Sequence, residues 1–376
     1  MVNKATIRIV FILMIMAGWY AELLDVRGAF LHGEFEKGTK LYMEVPDGFK
    51  TFYPIDCLLL LLQTIYGLKQ AALAFWVELL KAFYDMDYKR SKADPCLYFQ
   101  WTIQGLILWI SWVDDCLVTG KKNNVLNAKT EMMSRFDCDE VGELKEYIGC
   151  KLDWNEDKGW IKITQPVLLQ SLKDEFELPE GQNPLTPAEP GSVLTKEQDA
   201  ELLKPKEQTK YRSGVGKLLH MMKWSRPEIA NSVRELSRFM SAATLAHMKA
   251  MTRVMKYVVS TPERGLLLKP NARWDGSPEF EFEILGQSDS DFAKDQTTRK
   301  SVSGYVTYLN GAVVTVKSKM QQSVTLSVTE AELVAATSCV QDMIFIMRVL
   351  ESIGLKVKKP MILQVDNKGA KDLANN

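Results

Sequence analysis

Two aspartates in tandem, Asp114 and Asp115, lie between two apolar runs, residues 106–113 and 116–119. The pattern predicts a hairpin with acids at its tip. Like charges side by side repel, and ionised carboxylates beside buried strands are costly unless a cation offsets them. A third acid, Asp25, lies in an upstream strand expected over residues 23–26. If the two strands are neighbours, Asp25 and Asp114 face one another and can hold two divalent ions. Such a pair of metals activates a hydroxyl and stabilises a leaving oxygen in phosphoryl transfer. Magnesium is the natural occupant of an all-oxygen site of this kind. On its own, a tandem Asp pair is more often a solvated turn, and Asp25 alone is a weaker signal still.

Three further acids are spread over the last hundred residues: Asp289 on an expected strand, Glu332 early in an expected helix, and Asp366 at the end of a later strand. Asp291 and Glu330 are near neighbours that could be exchanged for Asp289 and Glu332. Taken alone, all of these read as scattered surface acids. Between residues 203 and 256 there are twelve Lys or Arg against three Glu and no Asp. Arg234 and Arg238 are four apart, and Lys249, Arg253 and Lys256 fall on one helical face. Such a stripe either tracks a phosphate backbone or is a solvated helix face.

Composition sets the frame around these groups. At 376 residues, 46% of them hydrophobic and 25% charged, the chain has the composition of two or three globular domains, which excludes a disordered tail or a fibrous repeat. Lys plus Arg equals Asp plus Glu at 47 each, so any affinity for nucleic acid must come from uneven charge. Six cysteines without a C-x-x-C pair suit a reducing compartment, and three histidines are too few for a multi-His metal centre. Carboxylates must hold any metal. Residues 7–17 are almost wholly apolar, too short to span a bilayer and similar to a signal peptide. A buried helix leading into a strand is the preferred reading.

The elements that must position the acids follow from periodicity. Residues 71–84 predict an amphipathic helix, and residues 58–65 an apolar stretch. Residues 180–194, rich in Pro and Gly, read as a linker, and residues 211–257 as helical with a polar face. A second break falls at 270–278. Beyond it, strands are expected over 280–286, 302–309, 312–317 and 324–327, then a helix over 330–353 and a strand over 361–365. Strands, helix and strand describe a small α/β domain of its own.

Several short blocks occur in order: Asp25-Val26-Arg27-Gly28-Ala29-Phe30-Leu31-His32-Gly33, Tyr42-Met43-Glu44-Val45-Pro46-Asp47-Gly48-Phe49, Tyr66-Gly67-Leu68-Lys69-Gln70-Ala71, Asp94-Pro95-Cys96-Leu97-Tyr98 and Trp112-Val113-Asp114-Asp115. Further on come Tyr211-Arg212-Ser213-Gly214-Val215-Gly216, Ser225-Arg226-Pro227-Glu228-Ile229-Ala230, Leu236-Ser237-Arg238-Phe239-Met240, Ser303-Gly304-Tyr305 and Leu326-Ser327-Val328-Thr329-Glu330-Ala331-Glu332. Together they resemble the reverse transcriptase of copia-type LTR retrotransposon Pol polyproteins over nearly the whole chain.

The resemblance implies an α+β fold: a reverse-transcriptase palm with truncated fingers over 1–180, a linker and thumb-like helical region over 181–275, and an incomplete, C-terminally truncated ribonuclease H-like α/β domain over 276–376. It implies RNA-directed DNA polymerase activity with Mg²⁺ or Mn²⁺ held by Asp25 and Asp114, and Asp115 as the supporting acid. Phe30 would stack under the sugar and select against a 2′-hydroxyl, though periodicity alone reads it equally as a core aromatic. Lys69 and Gln70 would lie near the incoming nucleotide, and residues 143–149 near the primer-gripping hairpin. Asp289, Glu332 and Asp366 would form the ribonuclease H-like metal set.

Partners would be an RNA or DNA template-primer, a deoxynucleoside triphosphate and other segments of the Pol polyprotein, without a membrane. The location would be the cytoplasm, within a virus-like particle, or the nucleus, without secretion. Two departures stand out. Trp112 occupies a position where the family usually has Tyr. The chain also begins about 24 residues before Asp25 and stops at Asn376, so basic fingers residues and a last active-site acid are expected to be missing. The rival expectations are a catalytically dead remnant that keeps only nucleic-acid binding, and a secreted carboxylate hydrolase using Asp114 or Asp115.

Overall fold

The computed structural model describes residues 1–155, 157–178, 183–195 and 201–375. It divides into two compact units, one of residues 1–7 and 19–144, the other of residues 8–18 and 145–376. The boundary expected at 180/181 and the start of the expected linker lie outside the described residues. The apolar N-terminal run is a helix, α1 (Lys4–Ala17), buried along most of its length. It gives way at Gly18 to β1 (Tyr20–Val26), as the preferred reading requires.

The first unit is built on a six-stranded sheet. After β1 come a short ribbon, β2 (Tyr42–Glu44) with β3 (Leu58–Leu60), and then helix α2 (Ala71–Asp85). Strands β4 (Lys89–Arg90), β5 (Leu97–Thr102), β6 (Gly105–Trp112) and β7 (Asp115–Gly120), helix α3 (Lys122–Met133) and β8 (Cys138–Glu143) complete it. The sheet order is β4-β5-β6-β7-β1-β8, so β1 lies between β7 and β8. The apolar stripes of α2 and α3 supply Phe75, Leu79, Phe83, Val125 and Met132 to a core that includes Leu24, Val26, Tyr98, Trp109 and Val118 from the strands. Phe83 stacks on Tyr98 with ring centroids 4.0 Å apart. Six consecutive residues of β6, Leu106 to Ser111, are buried, which explains why that strand reads as a continuous apolar run.

The second unit starts with β9 (Glu146–Tyr147), β10 (Cys150–Asn155) and β11 (Trp160–Thr164), followed by helices α4 (Pro166–Glu175), α5 (Pro205–Trp224), α6 (Ala230–Ser237) and α7 (Leu245–Ser260) and then β12 (Leu266–Leu268). Ile148 and Gly149, both at positive φ, make the two-residue turn between β9 and β10. Residues 211–257 are thus three helices, packed with α4 around Leu172, Tyr211, Leu218, Val233, Met251 and Val258.

Next come β13 (Glu281–Phe282), β14 (Ile284–Asp291), β15 (Val302–Leu309), β16 (Ala312–Met320), helix α8 (Val328–Ser352), β17 (Lys356–Val357), β18 (Ile362–Val365) and α9 (Lys368–Asn375). The sheet β16-β15-β14-β18 has β18 parallel to β14 and the other pairs antiparallel. By length and composition α8 could cross a bilayer, but here Ala335, Cys339, Met343 and Ile346 are buried on one face, and the Sδ of Met343 and Sγ of Cys339 leave no room for a Cβ at Gly286 of β14.

The strand expected over 324–327 is not formed. Ser327 instead caps α8: its hydroxyl accepts from the Glu330 N–H at 3.1 Å, and the Glu330 carboxylate accepts from the Leu326 N–H at 2.7 Å. These two side-chain hydrogen bonds at the helix entrance outweigh the alternating Val-Thr-Leu-Ser pattern.

Candidate active sites

The acid hairpin forms as its flanking strands require. Trp112 pairs with Asp115 at the ends of β6 and β7, which leaves Val113 and Asp114 as the two-residue turn. Val113 adopts φ 59°, a region that costs a β-branched residue and usually belongs to glycine in such turns. The Val26 N–H donates to the Asp114 carbonyl at 3.0 Å, tying the turn to the end of β1. Asp25 is the direct partner of Asp115 across the β1–β7 ladder and of Asp139 across the β1–β8 ladder. Asp139 is neutralised by Arg27, whose hydrogen bond holds it below the usual carboxylate range.

Asp25, Asp114 and Asp115 therefore form a patch of like charge. Burial first, and then the charges of Asp114 and Asp25, push the Asp115 carboxyl up to about 6. Burial, then Asp114 and Asp139, raise that of Asp25. These oxygen donors are of the type a hard divalent cation takes, but among the described residues the carboxylates whose oxygens converge within 4.8 Å are those of the second set, Asp289, Glu332 and Asp366.

Around this patch, the chain leaves β1 through Gly28, at φ 57°, into a single 3₁₀ turn, Ala29–Leu31. Phe30 is half-buried, and its ring lies 5.0 Å from that of Tyr66 at a 59° tilt. Lys69 is exposed and Gln70 half-buried at the start of α2.

The second set of acids comes together more tightly. Asp289 is on β14, Glu332 is in the first turns of α8, and Asp366 follows β18 next to β14, where Val365 pairs with Ser288. One carboxylate oxygen from each lies within 4.8 Å of the others. Glu332 is 3% exposed, and its Oε1 accepts from the N–H and hydroxyl of Ser290 at 3.0 and 2.8 Å. Its Oε2 is buried without a hydrogen-bond partner. Burial, then the charges of Asp289 and Asp366, raise its pKa. A buried carboxylate with one orphaned oxygen, grouped with two more carboxylates, is a fitting donor set for a divalent ion. The two rival acids are otherwise engaged: Asp291 pairs with Lys294 at 2.8 Å and Glu330 caps α8.

The basic residues separate into two groups. Arg234 is enclosed, donating to Ser318, Asn231 and Glu235, and Arg238 binds Glu235 and the buried Asp295. Both guanidinium groups are engaged by partners within the fold, Arg234 half-buried and Arg238 still exposed. Lys249, Arg253 and Lys256 line a cleft of about 630 Å³ on α7, with Arg253 also reaching Glu189 at 3.0 Å. Sequence reasoning did not find Ser290 or Thr64, whose roles depend on contacts with residues 42 and 34 positions away.

The chain is thus a mixed helix-and-strand fold with two groups of carboxylates, one of them on a tight hairpin beside a sheet strand. The model of the reverse transcriptase (RNA-dependent DNA polymerase) family matches residues 1–190, and the chain belongs to that family. It is 29% identical over 380 residues to the retrovirus-related Pol polyprotein from transposon TNT 1-94 of Nicotiana tabacum, covering all of this chain and 28% of that protein. It is 28% identical over 376 residues to the corresponding polyprotein from transposon RE1 of Arabidopsis thaliana, covering all of this chain and 25% of that one. With the putative transposon Ty5-1 protein YCL074W of Saccharomyces cerevisiae it shares 27% identity over 321 residues, covering 85% of this chain and 100% of that protein. The chain thus spans about a quarter of the length of the plant relatives, which are copia-type retrotransposon Pol polyproteins.

Proposed function

We propose that this chain carries out RNA- and DNA-templated DNA synthesis, adding deoxynucleotides to a primer 3′-hydroxyl, with Asp25 and Asp114 holding Mg²⁺ or Mn²⁺ and Asp115 supporting them. The observation that carries the reading is the ladder pairing of Asp25 with Asp115 beside Asp114, three acids whose mutual repulsion a cation relieves. Family membership supports the same reading. A divalent ion bound there supplies Lewis acidity and charge neutralisation for in-line displacement at the α-phosphate of the incoming nucleotide.

The chain's own residues do the rest. The strained Val113 turn and the Val26 hydrogen bond fix where the carboxylates point. Phe30 faces the deoxyribose, and Lys69 and Gln70 bind the triphosphate. Lys249, Arg253 and Lys256 take backbone phosphates of the template-primer, releasing counterions. In the second cluster, Asp289, Glu332 and Asp366 hold divalent ions in a ribonuclease H-like site directed at the RNA strand of a hybrid, and Ser290 fixes the Glu332 carboxylate.

Primer extension on an RNA template with Mg²⁺, comparing the unmodified chain with an Asp114→Asn/Asp115→Asn variant, tests the polymerase reading. Incorporation by the first and loss in the second is the expected result. Equal incorporation by both removes it, and binding of template-primer without incorporation by either leaves a nucleic-acid-binding remnant.

A further inference from the structure

We infer that Thr64 is a positioning residue for the Phe30 ring, and through it for discrimination between deoxy- and ribonucleotides. This rests on the reading of Phe30 as the residue facing the sugar. Thr64 lies four residues beyond β3 and is 0% exposed. Its N–H donates to the Gly33 carbonyl at 2.9 Å, and its hydroxyl donates to the Phe30 carbonyl at 2.5 Å. One buried side chain and its own backbone thus hold both ends of the Phe30-Leu31-His32-Gly33 turn.

The geometry explains why a hydroxyl is needed there. Within the single 3₁₀ turn, the Leu31 N–H bonds to Gly28 and the His32 N–H to Ala29. The Phe30 carbonyl lies at the end of that turn, where carbonyls lack an intrahelical donor. The Thr64 hydroxyl supplies the donor. Removing the hydroxyl would leave the Phe30 carbonyl without its donor and the buried Thr64 side chain without its acceptor, which frees the turn to move.

Two further contacts tighten the arrangement. The Tyr66 ring, two residues past Thr64, lies against the Phe30 ring. Gly33 is pressed between Thr64 and α2: a Cβ there would fall 2.8 Å from the Ala74 Cβ and closer still to the Thr64 hydroxyl. Phe30 is therefore held through its carbonyl by Thr64 and along its ring by Tyr66. A ring that excludes one hydroxyl from a sugar must be fixed to well under an ångström, and misplacement of about 1 Å is worth as much as a hundredfold in rate.

The test is the ratio of kcat/KM for dATP over ATP on a poly(U) template, measured for the full chain and for Thr64→Val, Thr64→Ser and Tyr66→Phe. Valine keeps the shape and removes the hydroxyl; serine keeps the hydroxyl. Thr64→Val is expected to lower the dATP/ATP ratio at least tenfold, on the order of the positional penalty above, mainly by raising efficiency with ATP. Thr64→Ser restores the ratio, and Tyr66→Phe leaves it unchanged. Equal losses with both nucleotides in Thr64→Val mark a merely structural role and overturn the inference, as does an unchanged ratio. Either result leaves the polymerase reading standing, whereas no templated incorporation by the unmodified chain overturns both.

Discussion

Asp25 and Asp115 are direct partners across the β1–β7 ladder, with Asp114 beside them at the turn. The cost of this arrangement is written into Asp115, whose pKa is pushed up to about 6 by burial and by Asp114 and Asp25. A carboxyl raised in the folded state adds stability only below its unfolded pKa, and that stability is lost as pH rises through the folded value. In the metal-free protein, Asp115→Asn should therefore match the unmodified chain near pH 4 and exceed it above about pH 7. Allowing for solvent screening of a half-exposed group, the gap should reach roughly 1–2 kcal/mol. Urea unfolding in chelator across this range measures it. A gap independent of pH would show that the three acids do not couple.

The two carboxylate clusters should bind divalent ions independently. In an Asp25→Asn/Asp114→Asn background, Mn²⁺ titrated against water-proton relaxation should still report one class of site. Adding Glu332→Gln should abolish it, because glutamine can keep the Ser290 hydrogen bonds while removing the charge on the orphaned oxygen. At ten times its Kd, the ion should also raise stability by roughly 1.4 kcal/mol. Persistence of the signal in the triple variant counts against Asp289, Glu332 and Asp366 as ligands.

Basic residues from the same charged stretch should behave differently in nucleic-acid binding. Lys249→Gln and Lys256→Gln should each lower the slope of log K against log salt by about one, as expected for phosphate contacts. Arg238→Gln should leave that slope unchanged and lower stability by roughly 1–3 kcal/mol, because it removes the guanidinium partner of the buried Asp295. A filter-binding salt series and a urea melt on the same preparations separate the two effects. A salt slope reduced in Arg238→Gln would put that residue on the nucleic acid.

Much of the framework was legible because it depends on local periodicity. The helix expected over 71–84 is α2, the strand expected over 302–309 is β15, and the acids fall at the hairpin tip. Errors came where a local polar device overrides the pattern. Residues 324–327 alternate like a strand, yet Ser327 caps the Glu330 N–H and Glu330 reaches back to the Leu326 N–H, so an S-x-x-E signal makes them a helix entrance. Arg234 and Arg238 look like Lys249 and Lys256 in a charge count, and only tertiary contacts to Glu235, Ser318 and Asp295 distinguish them. Thr64 gives no local signal at all, because its hydroxyl acts on a carbonyl 34 residues upstream. Gly33 was the available hint, a residue whose missing side chain is needed for close approach.

Asp94, part of the Asp-Pro block that carried the family resemblance, has a structural task that sets its mutational cost. It is 2% exposed, and its carboxylate accepts from the Asn3 N–H at 2.8 Å, the Thr6 hydroxyl at 2.6 Å and the Cys96 N–H at 3.0 Å. It thus tethers the entrance of α1, where Asn3 is itself the cap and accepts from the Ala5 N–H at 2.9 Å, while fixing its own loop before β5. Asp94→Ala strands the Thr6 hydroxyl and the Cys96 N–H, frees the capping residue Asn3 from its tether, and should cost about 2–4 kcal/mol. Asp94→Asn keeps an acceptor oxygen and should cost less. The midpoint and slope of urea unfolding give both values. Because Asp94 touches neither carboxylate cluster in these contacts, primer extension by Asp94→Ala well below its melting temperature should match the unmodified chain. A loss below about 0.5 kcal/mol would mean that α1 is held by its apolar burial alone.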